Sequence, residues 1–188
     1  MLSDMDIKVA LSAGHIKIIG RAPDAIGPSS IDVCLDRRFL IFPPDPEPLD
    51  TRATDTTGIV VVRQPGEPFQ LEPGQFVLGS TVEEVTLNNM FSAQVDGRSS
   101  LGRVGLLVHS TAGFIDPGFT GHITLELKNL SARPLLLWPG SRIAQLVFFR
   151  LSTPSVRPYG RCGRYQGQRG PTPSKGCAEG TTPRSSAA

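Results

Sequence analysis

From Ser30 onward the chain is a series of short apolar runs: IDVCL, FLIF, GIVVVR, QFVLGST, GLLVH, HITLEL, LLLW and IAQLVFF. The breaks between them are PPDPEP, QPGEP, LEPGQ, DPG and WPG, where proline fixes φ and glycine permits reversal. Runs this short and this often interrupted predict strands. With 17 prolines and 20 glycines in 188 residues, the pattern predicts an antiparallel sandwich or barrel rather than a βαβ fold. The amino terminus has a different period. Ser3 followed by Asp6 is a helix start, Ile7, Ala10 and Leu11 share one face, and Gly14 is the stop, so one short helix is predicted there.

Beyond Pro154 the composition turns to Gly, Arg, Pro and Ser with almost no Val, Ile or Leu. This predicts a β domain over residues 1–156 and a tail over 157–188 that cannot build a core of its own. Such a tail is either disordered or ordered by lying over a ligand or a neighbouring subunit. It is also basic: residues 157–188 hold six Lys/Arg and one acid, the rest of the chain 13 and 16. Tyr159 and Tyr165 are its only aromatics, too few for base stacking, so a phosphate-bearing small molecule fits at least as well as nucleic acid and no nucleic-acid partner is expected.

Hydrophobic residues make up 39% and charged residues 19%, the balance of a globular protein. No run of about 18 apolar residues predicts a membrane span. The aspartates in MLSDMDIKVAL stand where a signal peptide carries lysine or arginine, so a cytoplasmic location is expected. Cys34, Cys162 and Cys177 are odd in number, widely spaced and without a CxxC pair, which disfavours a disulfide framework or a cysteine zinc site.

The densest chemistry lies in GRSSLGR, residues 97–103. Ser99 or Ser100 can cap a helical turn, the glycines admit a ligand to the backbone, and Arg98 and Arg103 can clamp a polyphosphate. A polar turn with a solvated serine is the alternative. In GHITLELKN, Ile123, Leu125 and Leu127 face one side and His122, Thr124, Glu126 and Lys128 the other, so Glu126 is either a surface carboxylate or a proton carrier. Asp116 sits in a Asp-Pro-Gly turn. Gln145 interrupts an apolar run, so its amide needs a partner, from a ligand or from backbone. His109 and His122 read as catalytic bases or as satisfied core and surface histidines; Trp138 reads as packing at a turn. The zinc deaminase signature, Walker A, GxGxxG and GxSxG are all absent.

GRSSLGRVGLLVHSTAGFIDPGFTGHITLE resembles the heart of the dCTP deaminase family, within the dUTPase-like superfamily. PSSIDVCLD, LEPGQFVLGST, WPGSRIAQL, RPYG and RYQGQRGPTPS continue the likeness in order to about Ser174. The resemblance implies a distorted antiparallel jelly-roll assembled as a homotrimer, with active sites at subunit boundaries and dCTP as substrate. It implies that Arg98, Ser99, Ser100, Leu101, Gly102 and Arg103 hold the triphosphate and that Asp116 meets the deoxyribose 3′-hydroxyl. It implies that backbone around Ala112, Thr124 and Leu125 reads the cytosine edge, that Glu126 shuttles protons, and that Gln145, Tyr159, Arg164 and Gln168 complete the pocket. Mg²⁺ is expected on the phosphates, without zinc, and dTTP as a feedback inhibitor. Gly113 and Phe114 stand where the single-activity members carry His-Arg, which points to the kind that releases dUMP. The alternatives are a member releasing dUTP, a dUTPase, and a non-catalytic trimeric nucleotide-binding protein. Two features depart from the family: Arg164 replaces a lysine, and the connection from Tyr159 to Tyr165 is short.

Overall fold

The computed structural model describes residues 1–50, 58–161 and 163–176. Helix α1 (Asp4–Ser12) starts as the sequence predicts: the Ser3 hydroxyl accepts the Asp6 N–H, and the Asp6 carboxylate accepts the Ser3 N–H. Ile7 and Ala10 are buried, and Gly14, at φ +70°, turns the chain away.

The strands among the described residues are β1 (Ile16–Ile19), β2 (Ser30–Cys34), β3 (Arg38–Ile41), β4 (Ile59–Val62), β5 (Phe69–Leu71), β6 (Phe76–Leu87) and β7 (Phe91–Gly97). One helical turn, α2 (Ser99–Gly102), precedes β8 (Leu106–Leu107), β9 (Phe114–Ile115), β10 (Thr120–Asn129), β11 (Leu135–Leu137) and β12 (Arg142–Arg150). All eight apolar runs become strands or parts of strands. The pairing is antiparallel throughout: one sheet runs β4-β3-β6-β10-β8 with β1 also on β6, another β2-β12-β7-β9, and β11 pairs β5. Strand β6 is long enough to serve β3 with its first half and β1 with its second, while β10 lies along its other edge. Both larger sheets feed one core, with Val77, Val85, Leu125 and Leu127 from the first and Val33, Ala93, Leu146 and Phe148 from the second. The fold is mainly β with a short amino-terminal helix.

One irregularity positions the site. The β10–β6 register shifts between His122 and Thr124, which takes the Ile123 N–H out of the ladder. The fully buried Thr81 hydroxyl replaces the lost partner, accepting from Ile123 N at 3.0 Å and donating to the Glu83 carbonyl at 2.8 Å. Past the bulge, Ile123, Leu125 and Leu127 are buried, and Thr124 and Glu126 face outward from the core.

The tail lies back on β10. After a 3₁₀ turn at Tyr159–Arg161, the Gly167 N–H donates to the Thr120 carbonyl at 2.8 Å and the His122 N–H donates to the Gln168 carbonyl at 3.0 Å. The expected disorder of the last residues concerns a stretch, 177–188, outside the described residues, as are Cys162 and Cys177. Cys34 is a half-buried thiol, free of any disulfide; burial pushes it up to about 11, and the Glu83 carboxylate adds to the shift. No helix among the described residues is long and apolar enough to cross a membrane.

Candidate active site

Glu126 opens into a cavity of about 620 Å³. Ala112, Phe114, Asp116, Thr124, Tyr159 and Gln168 line the same space, so the structure gathers seven of the residues singled out from sequence. The floor is β10. One wall is the segment of β9 with the turn after it, and the other is the tail, which adds Tyr165 and Thr172. Tyr159 packs edge-on against Phe119, 5.6 Å between ring centres, and its hydroxyl accepts the Tyr165 N–H at 3.1 Å. Gln168 grips His122 through its own carbonyl and through its amide, Nε2 donating to the His122 carbonyl at 2.7 Å.

The Glu126 carboxylate is held by Ser110, whose hydroxyl donates at 2.6 Å and whose amide donates at 3.1 Å, both to Oε2. Burial pushes this carboxyl up, but the Ser110 hydroxyl, the neighbouring His109 and the amides of Ser110 and Thr111 outweigh it, and the net shift is down. Glu126 is therefore ionised at neutral pH and half-buried, the state required of a base. Ser110 had no signal in the hydrophobic pattern, because a serine just after a two-residue strand reads as loop.

The phosphate-type cluster lies in a second cavity of about 520 Å³, lined by Arg98, Ser99, Ser100, Gly102 and Gln145 together with Asp32 and Asp96. Neither serine caps the turn, contrary to the sequence expectation. Arg98 is the cap residue with no side-chain cap bond, because the extended backbone of β7 persists through it, and the serines become the first two helical residues. Their amides have no acceptor among the described residues. The two-sided arginine clamp is not assembled within one chain either: Arg98 Nη1 donates to Asp32 Oδ2 at 2.7 Å, while Arg103 lines neither cavity. Asp32, which sequence reading passed over, also takes Arg142 at 3.3 Å; its position between buried Ile31 and Val33 on β2 was the available clue. Gln145 finds backbone and a serine, its Nε2 donating to the Gly97 carbonyl at 3.4 Å and its Oε1 accepting from Ser30 Oγ at 3.2 Å.

Leu125 is fully buried, so only its main chain is left for a ligand; Leu101 packs against the core. Arg164 lines neither cavity, and its guanidinium donates to the Gly176 carbonyl. His122 is satisfied, with Nδ1 2.9 Å from the Thr81 carbonyl. His109 is not: it borders both cavities, and both its ring nitrogens are buried with no partner among the described residues. Among the described residues no three His, Cys, Asp or Glu side chains cluster as a metal site.

The antiparallel β framework is of the dUTPase-like kind, as two solved structures show. The 2′-deoxycytidine 5′-triphosphate deaminase from Agrobacterium tumefaciens superposes with a TM-score of 0.62 at 21% identity, over 80% of this chain and 47% of that one. This chain thus spans about half of the Agrobacterium protein. A dUTPase from phage phi11 of S. aureus superposes at 0.50 with 14% identity, over 75% of this chain and 94% of its own. At these identities the likeness is one of fold. The family is fixed by sequence: residues 1–151 match the family described as dCTP deaminase-like, and the chain belongs to it. A protein of Thermobifida fusca (strain YX) described as "dCTP deaminase, dUMP-forming" is 53% identical over 180 residues, 93% of this chain and 92% of its own. Another so described, from Clavibacter michiganensis subsp. michiganensis, is 52% identical over 180 residues, 93% and 90% of the two chains.

Proposed function

We propose that this chain is a dCTP deaminase of the dUMP-forming kind. The observation that carries the reading is the seat of Glu126, ionised beside Ser110 in a cavity that also holds Asp116, Thr124, Tyr159 and Gln168. A pyrimidine ring laid against β10 puts C4 next to that carboxylate. Glu126 takes a proton from water as the water oxygen bonds to C4, delivers that proton to N3, and then carries the proton of the new C4 hydroxyl to the amino group. The C4–N bond then breaks, ammonia leaves and uracil remains. Proton transfer by a positioned carboxylate contributes about 10² to 10⁴ in rate.

The Arg98–Arg103 turn receives the triphosphate, which arrives as its Mg²⁺ complex. Glu126 and that turn line different cavities of one chain. A homotrimer in which one subunit supplies the carboxylate cavity and its neighbour the Arg-Ser turn reunites the two halves. Phe114 and Leu49, 59% and 66% exposed where they border the first cavity, support such a cover. dTTP, sharing the deoxyribose and triphosphate, is the natural feedback ligand of the same site, and the enzyme acts in the cytoplasm.

Release of dUMP needs a second water, directed at the α-phosphorus so that diphosphate leaves; Asp116 places it. Gly113 supports this outcome. A Cβ there would stand 3.0 Å from the Val95 carbonyl and 3.3 Å from His109 Cδ2, so a larger residue requires a shift of a few tenths of an ångström beside Phe114. The test is a product assay on dCTP with Mg²⁺: ammonia, dUMP and diphosphate are expected without accumulating dUTP. Accumulation of dUTP would indicate the single-activity kind, and turnover of dUTP with dCTP inert would indicate a dUTPase.

A further inference from the structure

Arg38 opens β3, and its Nε donates to Asp36 Oδ2 at 2.5 Å. Asp36 is itself tied to β6, accepting from Ser80 Oγ at 3.4 Å and donating its amide to the Ser80 carbonyl at 2.8 Å. Neither residue lines either of the two cavities described, and the chemistry above does not use them. What lies against the guanidinium is the tail. Gly170 is buried at φ +71°, and a Cβ built on it would stand 3.0 Å from Arg38 Cζ and Nη1. With the guanidinium pinned by Asp36, only glycine lets the backbone approach this closely in this conformation. Two residues earlier Gln168 grips His122, and two residues later the Thr172 N–H donates to Thr124 Oγ1 at 3.3 Å. Gln168 and Thr172 both wall the Glu126 cavity, so the crossing at Gly170 lies midway between them.

We propose that Asp36 and Arg38 are positioning residues: they form the seat on which the tail rests at Gly170, and through it hold Gln168 and Thr172 against the active-site cavity. The kinetic consequence rests on the deaminase reading; the seat itself does not. Arg38→Ala and Gly170→Ala are each expected to weaken the docking of the tail about fivefold, the size of one partly exposed ion pair or one strained glycine, and in the full chain with Mg²⁺ and dCTP to lower kcat/KM, mainly through KM, by up to that factor. Trypsin cleavage after the exposed Arg169, normalised to a free peptide of the same sequence, should accelerate as well, since it follows the population of the undocked tail; the fall in kcat/KM and the rise in cleavage multiply to about fivefold. Gly170→Ala lies outside the β domain, so it decides the matter even where Arg38→Ala folds poorly. Wild-type protection of Arg169 and wild-type kcat/KM in Gly170→Ala would overturn the proposal. Cleavage as fast as that of the free peptide with kcat/KM intact would do so too, since the tail would then be undocked without loss of turnover. A wild-type chain that releases no ammonia from dCTP overturns the deaminase reading instead, while the protease comparison still decides whether the seat holds the tail.

Discussion

Glu126 answers to opposed influences, and their balance sets what it can do. Burial raises its affinity for a proton; Ser110, His109 and two backbone amides lower it by more. A carboxyl depressed in the folded state adds stability above its unfolded pKa and loses it as pH falls through the folded value. It also stays a base down to that lower limit. Glu126→Gln keeps the shape and removes the base, so dCTP binding by calorimetry should persist while ammonia release falls by about 10² to 10⁴. Ser110→Ala tests the balance itself. With the 2.6 Å hydroxyl bond gone, burial counts for more, so the acid limb of the kcat/KM profile should move to higher pH; an unmoved limb would mean that Ser110 does not set the protonation of Glu126.

The outward aim of Glu126 is a property of β10, and only part of it was legible in the residues. Alternation in HITLEL correctly put Ile123 and Leu125 inside and Thr124 and Glu126 outside. The bulge that re-registers the strand depends on Thr81, 42 residues away, and local pattern cannot see a partner at that distance. The same limit hid β7, FSAQVDG, where buried positions include Ser92 and Ala93 and the apolar signal is weak. It also hid β9, whose two residues pair only because β7 is there. Turn chemistry misled in GRSSLGR, since the incoming strand, not the serine, decides where the helical turn begins. Thr81→Val preserves volume and removes the hydroxyl, leaving the Ile123 N–H without its acceptor. The expected cost is about 1–3 kcal/mol, read from denaturant unfolding. A drop in kcat/KM should accompany it as Thr124 and Glu126 shift; full activity at lowered stability would show that the bulge serves the fold alone.

At the scale of the whole molecule, the proposed function requires a carboxylate cavity and an Arg-Ser turn, placed apart in one chain, to act on one nucleotide. His109 borders both cavities and leaves two buried nitrogens without partners among the described residues, which is the one argument for a connection within one chain. Arg103 argues for the other geometry. It is exposed and lines neither cavity, so under the proposed function it serves a site completed by a neighbouring subunit. Complementation separates the two. Glu126→Gln and Arg103→Ala should each lose nearly all dCTP turnover as pure proteins. In trimers assembled from an equal mixture, a shared site takes its carboxylate from one subunit and its arginine from the next around the ring. About a quarter of the sites then combine two intact halves, and activity should return to about that fraction of wild type. If each chain builds its site alone, every site carries one lesion whatever its neighbours, and the mixture should be as inactive as its components.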